Sequence, residues 1–202
     1  MIRPTAVLAI LLTGGVVANA IEEPAFEVVE STDVYEVRRY APYIVAETTV
    51  NGDFGSAGGK AFRILAGYIF GNNEDSTKMK MTAPVETRPA LESTSMVTSG
   101  KNGSSAYTVG FVMESQYGLD TLPAPKDGRV SLREVPARTV AALRYSGRWT
   151  EGNYQKHERR LLVALDDDGY ATIAPPMLAR YNGPMTPWFL RRNEVLVEVE
   201  KP

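Results

Sequence analysis

The chain has no cysteine and only one histidine, His157, in 202 residues. The first absence excludes disulfides, thiolate catalysis, cysteine-held metals and a lipoprotein anchor together. The second excludes any site that needs two imidazoles. An excess of one charge is lacking as well: 22 basic residues face 24 acidic ones, for a formal charge of -2. Without a local basic cluster, such a surface does not hold nucleic acid. There is no G-x-S-x-G elbow, no glycine-rich phosphate loop and no metal-ligand cluster. The sequence therefore shows no catalytic constellation, and enzyme readings find little support.

What is present is enough for one core: 44% of the residues are hydrophobic and 23% charged, at the length of one ordinary domain. Residues 1–20 stand apart. Arg3 precedes the apolar run AVLAILLTGGVVANA, which is short and glycine-interrupted and ends in Ala18-Asn19-Ala20. This predicts an export signal cleaved before Ile21, leaving a periplasmic or secreted chain with no stable membrane anchor. Left uncleaved, the same run would be an amphiphilic anchor. The single domain is expected over 21–202, with halves at about 26–117 and 130–201.

Short alternating runs over 25–50 (FEVVE, YEVRRY, YIVAETTV) predict strands, with Pro42 in a turn. Over 57–70, Ala61, Ile64, Leu65, Tyr68 and Ile69 share one side at helical period while Lys60, Arg63 and Gly67 share the other, an amphipathic helix that Gly71-Asn72-Asn73 ends. Period two then sets Met79, Met81, Ala83 and Val85 against Lys78, Lys80, Thr82 and Glu86. This predicts a strand with a methionine face, at an edge or bulged because Pro84 donates no hydrogen bond. Residues 91–105 read as a polar hairpin loop or mobile excursion, YTVGFVM as a strand, and 118–129 as a connector.

The plan then repeats. VSLREVPARTVAALRY (130–145) echoes YEVRRYAPYIVAETTV (35–50) at an offset of 94 or 95 residues. A second helix is expected from Thr150, a good N-cap, to about Asp167, with Tyr154, Leu161, Ala164 and Leu165 buried. YATIAPPMLARY and NEVLVEVE close the domain as strands, and Asp166-Asp167-Asp168 is a solvated turn. The fold class is α+β: two strand-strand-helix-strand-strand halves, each with a groove between helix and antiparallel strands.

In this order, YEVRRYAPYIVAET, KMKMTAPVET, LPAPKDGRVSLREVPARTVAALRYSG and YNGPMTPWFLRRNEVLVEVE resemble the SOUL haem-binding protein family over roughly residues 26–200. The resemblance implies a distorted β-barrel of two repeated halves, each carrying a helix, and non-covalent binding of haem or another tetrapyrrole without known catalysis. The same fold serves effector-binding domains of transcription regulators, so a pocket follows more firmly than its ligand.

Haem is a flat apolar disc with two carboxylates and an iron, so its site needs an apolar slot, cations at the mouth and optionally an axial ligand. In the family the suggested groove lies along the first helix. Matched to 57–70, this points to Phe62, Leu65, Ala66 and Ile69 as lining, with Met79, Met81 and Val85 as the wall behind. Ordinary helix-on-sheet packing has the same spacing. Lys60 and Arg63 on the polar stripe can reach propionates or simply be solvated, and Arg191-Arg192 can clamp them or brace the last strand on acids. Thr186 stands where some relatives carry a basic residue. Met79 and Met81 suit a flexible core filler better than iron ligands. His157 is the one imidazole candidate, whereas relatives credited with an axial histidine carry it in the first half. The expectation is weak or absent axial ligation. Another flat apolar molecule, or a protein partner, fits the same groove.

Overall fold

The computed structural model describes residues 21–90 and 106–201; the export signal expected over 1–20 and the loop expected over 91–105 lie outside them. The first half runs β1 (Phe26–Ser31), β2 (Glu36–Tyr40), β3 (Tyr43–Asn51), α1 (Phe54–Ile69), β4 (Val85–Pro89) and β5 (Ala106–Val112). The second runs β6 (Ser131–Val135), β7 (Arg138–Tyr145), α2 (Glu151–Asp167), β8 (Ala171–Thr172), β9 (Met177–Arg180), a 3-10 turn (Trp188–Leu190) and β10 (Asn193–Glu200). The α+β distorted barrel expected from the sequence is what forms.

Its halves interleave. The sheet order is β1-β2-β7-β10-β9-β4-β5-β3-β6, with β8 beside β10, and every pair is antiparallel. Outside β1 the order is a palindrome about the β9/β4 pair. Neither β2 nor β6 pairs with the strand that follows it. β2 pairs with β7 and β6 with β3, in one register: Glu36 opposite Ala142 and Tyr40 opposite Arg138, then Ser131 opposite Glu47 and Val135 opposite Tyr43. Each half thus supplies the other with a strand.

The helices start where their caps allow. The Asp53 carboxylate accepts from the Ser56 N–H at 2.9 Å and Thr150 Oγ1 from the Asn153 N–H at 3.4 Å, each satisfying an otherwise orphan donor. α1 therefore begins three residues before the apolar periodicity is legible. It ends at Ile69, and Gly71, just past the cap at Phe70, has a φ of 108° that favours glycine.

Both helices lie on one face of the sheet, α1 over β3 and β5, α2 over β7 and β10. Under α1 are Ala46, Val109, Phe111 and Met113; under α2 are Ala141, Leu143, Val195, Val197 and Val199, meeting Tyr154, Leu161 and Leu165. Each buried leucine contributes about 1.5–3 kcal/mol. The opposite face is not solvent either. It carries Tyr40, Val140, Ala142, Met177, Ala179, Tyr181 and Leu196, together with ion pairs such as Arg38–Glu194 at 2.7 Å.

The predicted methionine strand is corrected. Pairing begins at Val85, and residues 78–84 belong to no strand, with Ala83 in a bend. Their backbone groups bind elsewhere: Met79 N–H to Ile69 O, Ala83 N–H to Glu22 O, and Lys80 N–H to a Glu114 carboxylate oxygen. Pro84 therefore precedes the ladder, and β4 sits at the centre of the sheet rather than its edge. Glu86, placed on the outer face by period two, is buried and accepts from the Tyr43 hydroxyl at 2.7 Å.

Candidate functional site

α1 has two flanks, and the predicted site residues divide between them. Lys60 and Arg63 line an open cleft of about 620 Å³ with Ile64, Gly67, Val50 and Arg129. The Lys60 ammonium already donates to Asn51 O at 3.0 Å. Arg129 is held by Asp127 at 2.6 Å, and its hydrogen bonds pull that carboxyl down to about 2. This cleft offers cations but little apolar surface.

Leu65, Ile69 and Met79 are buried as core, with Met81 and Val85 packed against the same cluster; Ala66 is buried too. Phe62 alone of the predicted lining is open, 43% exposed, with its ring edge-on to Phe111 at 5.4 Å. It faces away from Lys60 and Arg63, on the flank of Gly58 one turn earlier.

That flank borders a trough. β4 and β9, at the palindrome's centre, lie between the helices. Period two puts Val85 and Thr87 of β4 and Leu178 and Arg180 of β9 on the helix face, with Val85 opposite Arg180 and Thr87 opposite Leu178. Phe54 of α1 stacks on Tyr154 of α2 at 5.3 Å and closes one end, over a cavity of about 160 Å³ that Thr87, Tyr107, Glu151 and Glu158 also line. Burial raises the Glu158 carboxyl against a hydrogen bond to Tyr154 that lowers it.

Arg180 is the unusual group on this floor. Its Nε is enclosed without a hydrogen-bond partner. Its Nη2 reaches Thr87 Oγ1 at 3.4 Å, and no carboxylate lies within salt-bridge distance among the described residues. Burial pushes its pKa down, partly offset by Tyr145. Gly58 makes room for it, since a Cβ there would come within 2.9 Å of Nη1.

Arg191 and Arg192 do not converge with Lys60 and Arg63. Arg192 bridges Glu23 at 2.9 Å and Glu194 at 3.0 Å, bracing the last strand. Arg191 donates to Pro184 O and Thr186 O, each at 2.8 Å, tying the base of the β9–β10 loop. Its guanidinium lies 4.0 Å from the Trp149 ring centroid, and that of Arg180 lies 5.3 Å from the same ring. This loop leaves Met185 93% exposed, with Trp188, Phe189 and Leu190 also exposed.

His157 stacks on Tyr145 at 4.0 Å between ring centroids. Its Nδ1 is 2.7 Å from Asn153 O, so Nδ1 donates and, in the neutral ring, Nε2 keeps its lone pair. The described residues contain no cluster of three His, Cys, Asp or Glu side chains fit to hold a metal ion and no helix long and apolar enough to cross a membrane.

A further cavity, about 510 Å³, is lined by Glu22, Glu23, Glu114 and Glu134 with Tyr43, Ile44 and Met113; its acids oppose a carboxylate ligand. Sequence reasoning missed Arg180, Trp149 and Gly58. The alternation through Met177–Tyr181 does place Arg180 on the helix face, but only the fold shows that no acid among the described residues answers it.

The chain resembles human "Heme-binding protein 2", 30% identical over 91% of this chain and 92% of that one. It also resembles "Heme-binding protein 1" of Xenopus tropicalis, 28% identical over 80% and 81%. In fold it matches the EcmrR C-terminal domain, with TM-score 0.62 and 15% identity over 83% of this chain and 99% of that one. The family model described as SOUL heme-binding protein covers residues 21–198, and with the interleaved barrel and its two helices this places the chain in the SOUL haem-binding protein family.

Proposed function

We propose that the protein is an exported binder of haem or another tetrapyrrole, a carrier, buffer or scavenger rather than a catalyst, holding its ligand beside α1 with weak or no axial ligation. The observation that carries this reading is Phe62, an exposed aromatic on the trough flank of a helix whose neighbouring apolar residues are buried. The exposed Trp188 and Phe189 of the β9–β10 loop add aromatic surface, and the names of the human and frog relatives support the ligand class.

The residues present fit the group. Phe62, with Val85 on the trough floor, offers apolar contact, while Arg180, which pairs with no carboxylate among the described residues, offers charge. When bound, the tetrapyrrole supplies a flat conjugated ring, two carboxylates and, in haem, a redox-active iron. The chain's own part is to bury the ring and orient its acids.

The test is a haemin titration of residues 21–202 followed at the Soret band. A saturable one-to-one shift is expected, surviving His157→Ala within about threefold and weakened roughly tenfold in Phe62→Ser, about 1.4 kcal/mol. Loss on His157→Ala alone would make the histidine an axial ligand. No saturable shift would move the reading to another flat apolar molecule or a protein partner. Export is checked on the full 202-residue chain, as an exported fraction whose N-terminus is Ile21.

A further inference from the structure

We propose that Arg180, on the floor of the trough between α1 and α2, is the receptor for a carboxylate of the bound ligand, a propionate where the ligand is a tetrapyrrole; the ligand's identity, though not the receptor's chemistry, rests on the function proposed above.

The argument starts from what burial costs. A guanidinium taken out of water needs compensation, and this protein supplies it elsewhere. Arg38 has Glu194 and Glu36, Arg138 has Glu86 and Glu198, Arg88 and Arg133 share Glu47, and Arg192 has Glu194 and Glu23. Arg180 has the Thr87 hydroxyl at 3.4 Å and, like Arg138, an orphan Nε, but unlike Arg138 it has no carboxylate among the described residues. An enclosed cation left unpaired works against the fold, and groups that oppose stability in this way concentrate where a ligand completes them.

The acids that line the closed end of the trough do not quench it. Glu158 and Glu151 belong to the α2 wall at the Phe54–Tyr154 end, and neither pairs with Arg180. The neighbours that do touch it suit an aromatic acid. Gly58 presents no side chain, and the Trp149 indole lies 5.3 Å away and is held by its Nε1–H to Asn193 Oδ1 at 2.8 Å. Phe62 lies one turn along the Gly58 flank. A planar ligand against Phe62 with its carboxylate on Arg180 would pair with the Nη atoms in the two-pronged geometry that guanidinium favours. Lys60 and Arg63, on the other flank, are not needed for this.

The experiment compares protoporphyrin IX with its dimethyl ester, which keeps the ring and removes both carboxylates. Wild-type protein, Arg180→Gln, Arg180→Lys and Arg63→Ala are titrated by absorbance and melted without ligand. In wild type the acid should bind roughly tenfold to a hundredfold tighter than the ester, the range of a charge-assisted hydrogen bond. Arg180→Gln should erase that gap, Arg180→Lys restore part of it, and Arg63→Ala leave it intact. Unliganded Arg180→Gln should melt at or above the wild-type temperature, which a structural arginine would not do. Equal binding of acid and ester by wild type, a gap that persists in Arg180→Gln, or a clear fall in its melting temperature would each overturn the proposal and leave the tetrapyrrole reading standing. If wild type binds neither porphyrin, the tetrapyrrole reading fails. The receptor is then judged on melting with 1-naphthoate, which should raise the melting temperature of wild type but not of Arg180→Gln; equal shifts would overturn it.

Discussion

Glu194 shows how a single side chain organises the inner face of the barrel. It is 0% exposed, yet accepts from Arg38 at 2.7 and 3.3 Å, Tyr181 at 2.8 Å and Arg192 at 3.0 Å. Burial alone would raise its pKa, but the hydrogen bonds and charges of Arg38 and Arg192 hold it below the ordinary 4.5. The folded-state value is depressed, so the stabilisation is present above the unfolded pKa and is lost as pH falls through the folded one. Glu194→Gln leaves Arg38 without its buried counter-charge and should cost roughly 3–5 kcal/mol at neutral pH, read from urea midpoints. The variant should also lose part of the wild-type decline below about pH 4.5. A neutral-pH midpoint unchanged from wild type would show that the pair adds no net stability. At this scale the sequence is an uneven guide. Met79 is buried as its spacing implied, but Glu86 is buried as well, because Tyr43 and Arg138 meet it across the barrel.

At the scale of elements, α1 was legible from its apolar spacing, and α2 from its Thr150 cap and its thin line of Tyr154, Leu161 and Leu165. The start of α1 was not, because residues 54–56 owe their helical state to the Asp53 cap rather than to any buried stripe. α1 also contains adjacent glycines with different duties. At Gly58 a side chain would strike the Arg180 guanidinium, whereas at Gly59 a Cβ meets nothing within 4 Å. Gly59→Ala should therefore stabilise the protein by up to about 1 kcal/mol through helix propensity, seen as a higher melting temperature with unchanged ligand affinity. A lower melting temperature would mean that the position is constrained by something other than its own helix. The 78–84 segment went the other way: alternation implied a strand, but its donors are taken by Ile69, Glu114 and Glu22.

At the scale of the whole molecule, the exchange of β2 and β6 makes each half depend on the other. The first half without its partner would expose the sheet edges that β7 and β6 cover, and the second those of β2 and β3. A fragment of residues 21–117 should give no cooperative melt by circular dichroism, and co-expression with 118–202 should restore one; a cooperative transition in the isolated fragment would contradict this dependence. The sequence by itself determined the α+β class, the two repeated halves, both helices and the family, because periodicity, capping and motif order are local properties written along the chain. Only the tertiary structure decided that the halves interleave, that the cations predicted for one groove lie on separate surfaces, and that Arg180 stands without a carboxylate among the described residues. Pairing partners and charge compensation depend on residues far apart in sequence, and no local pattern records which of them meet.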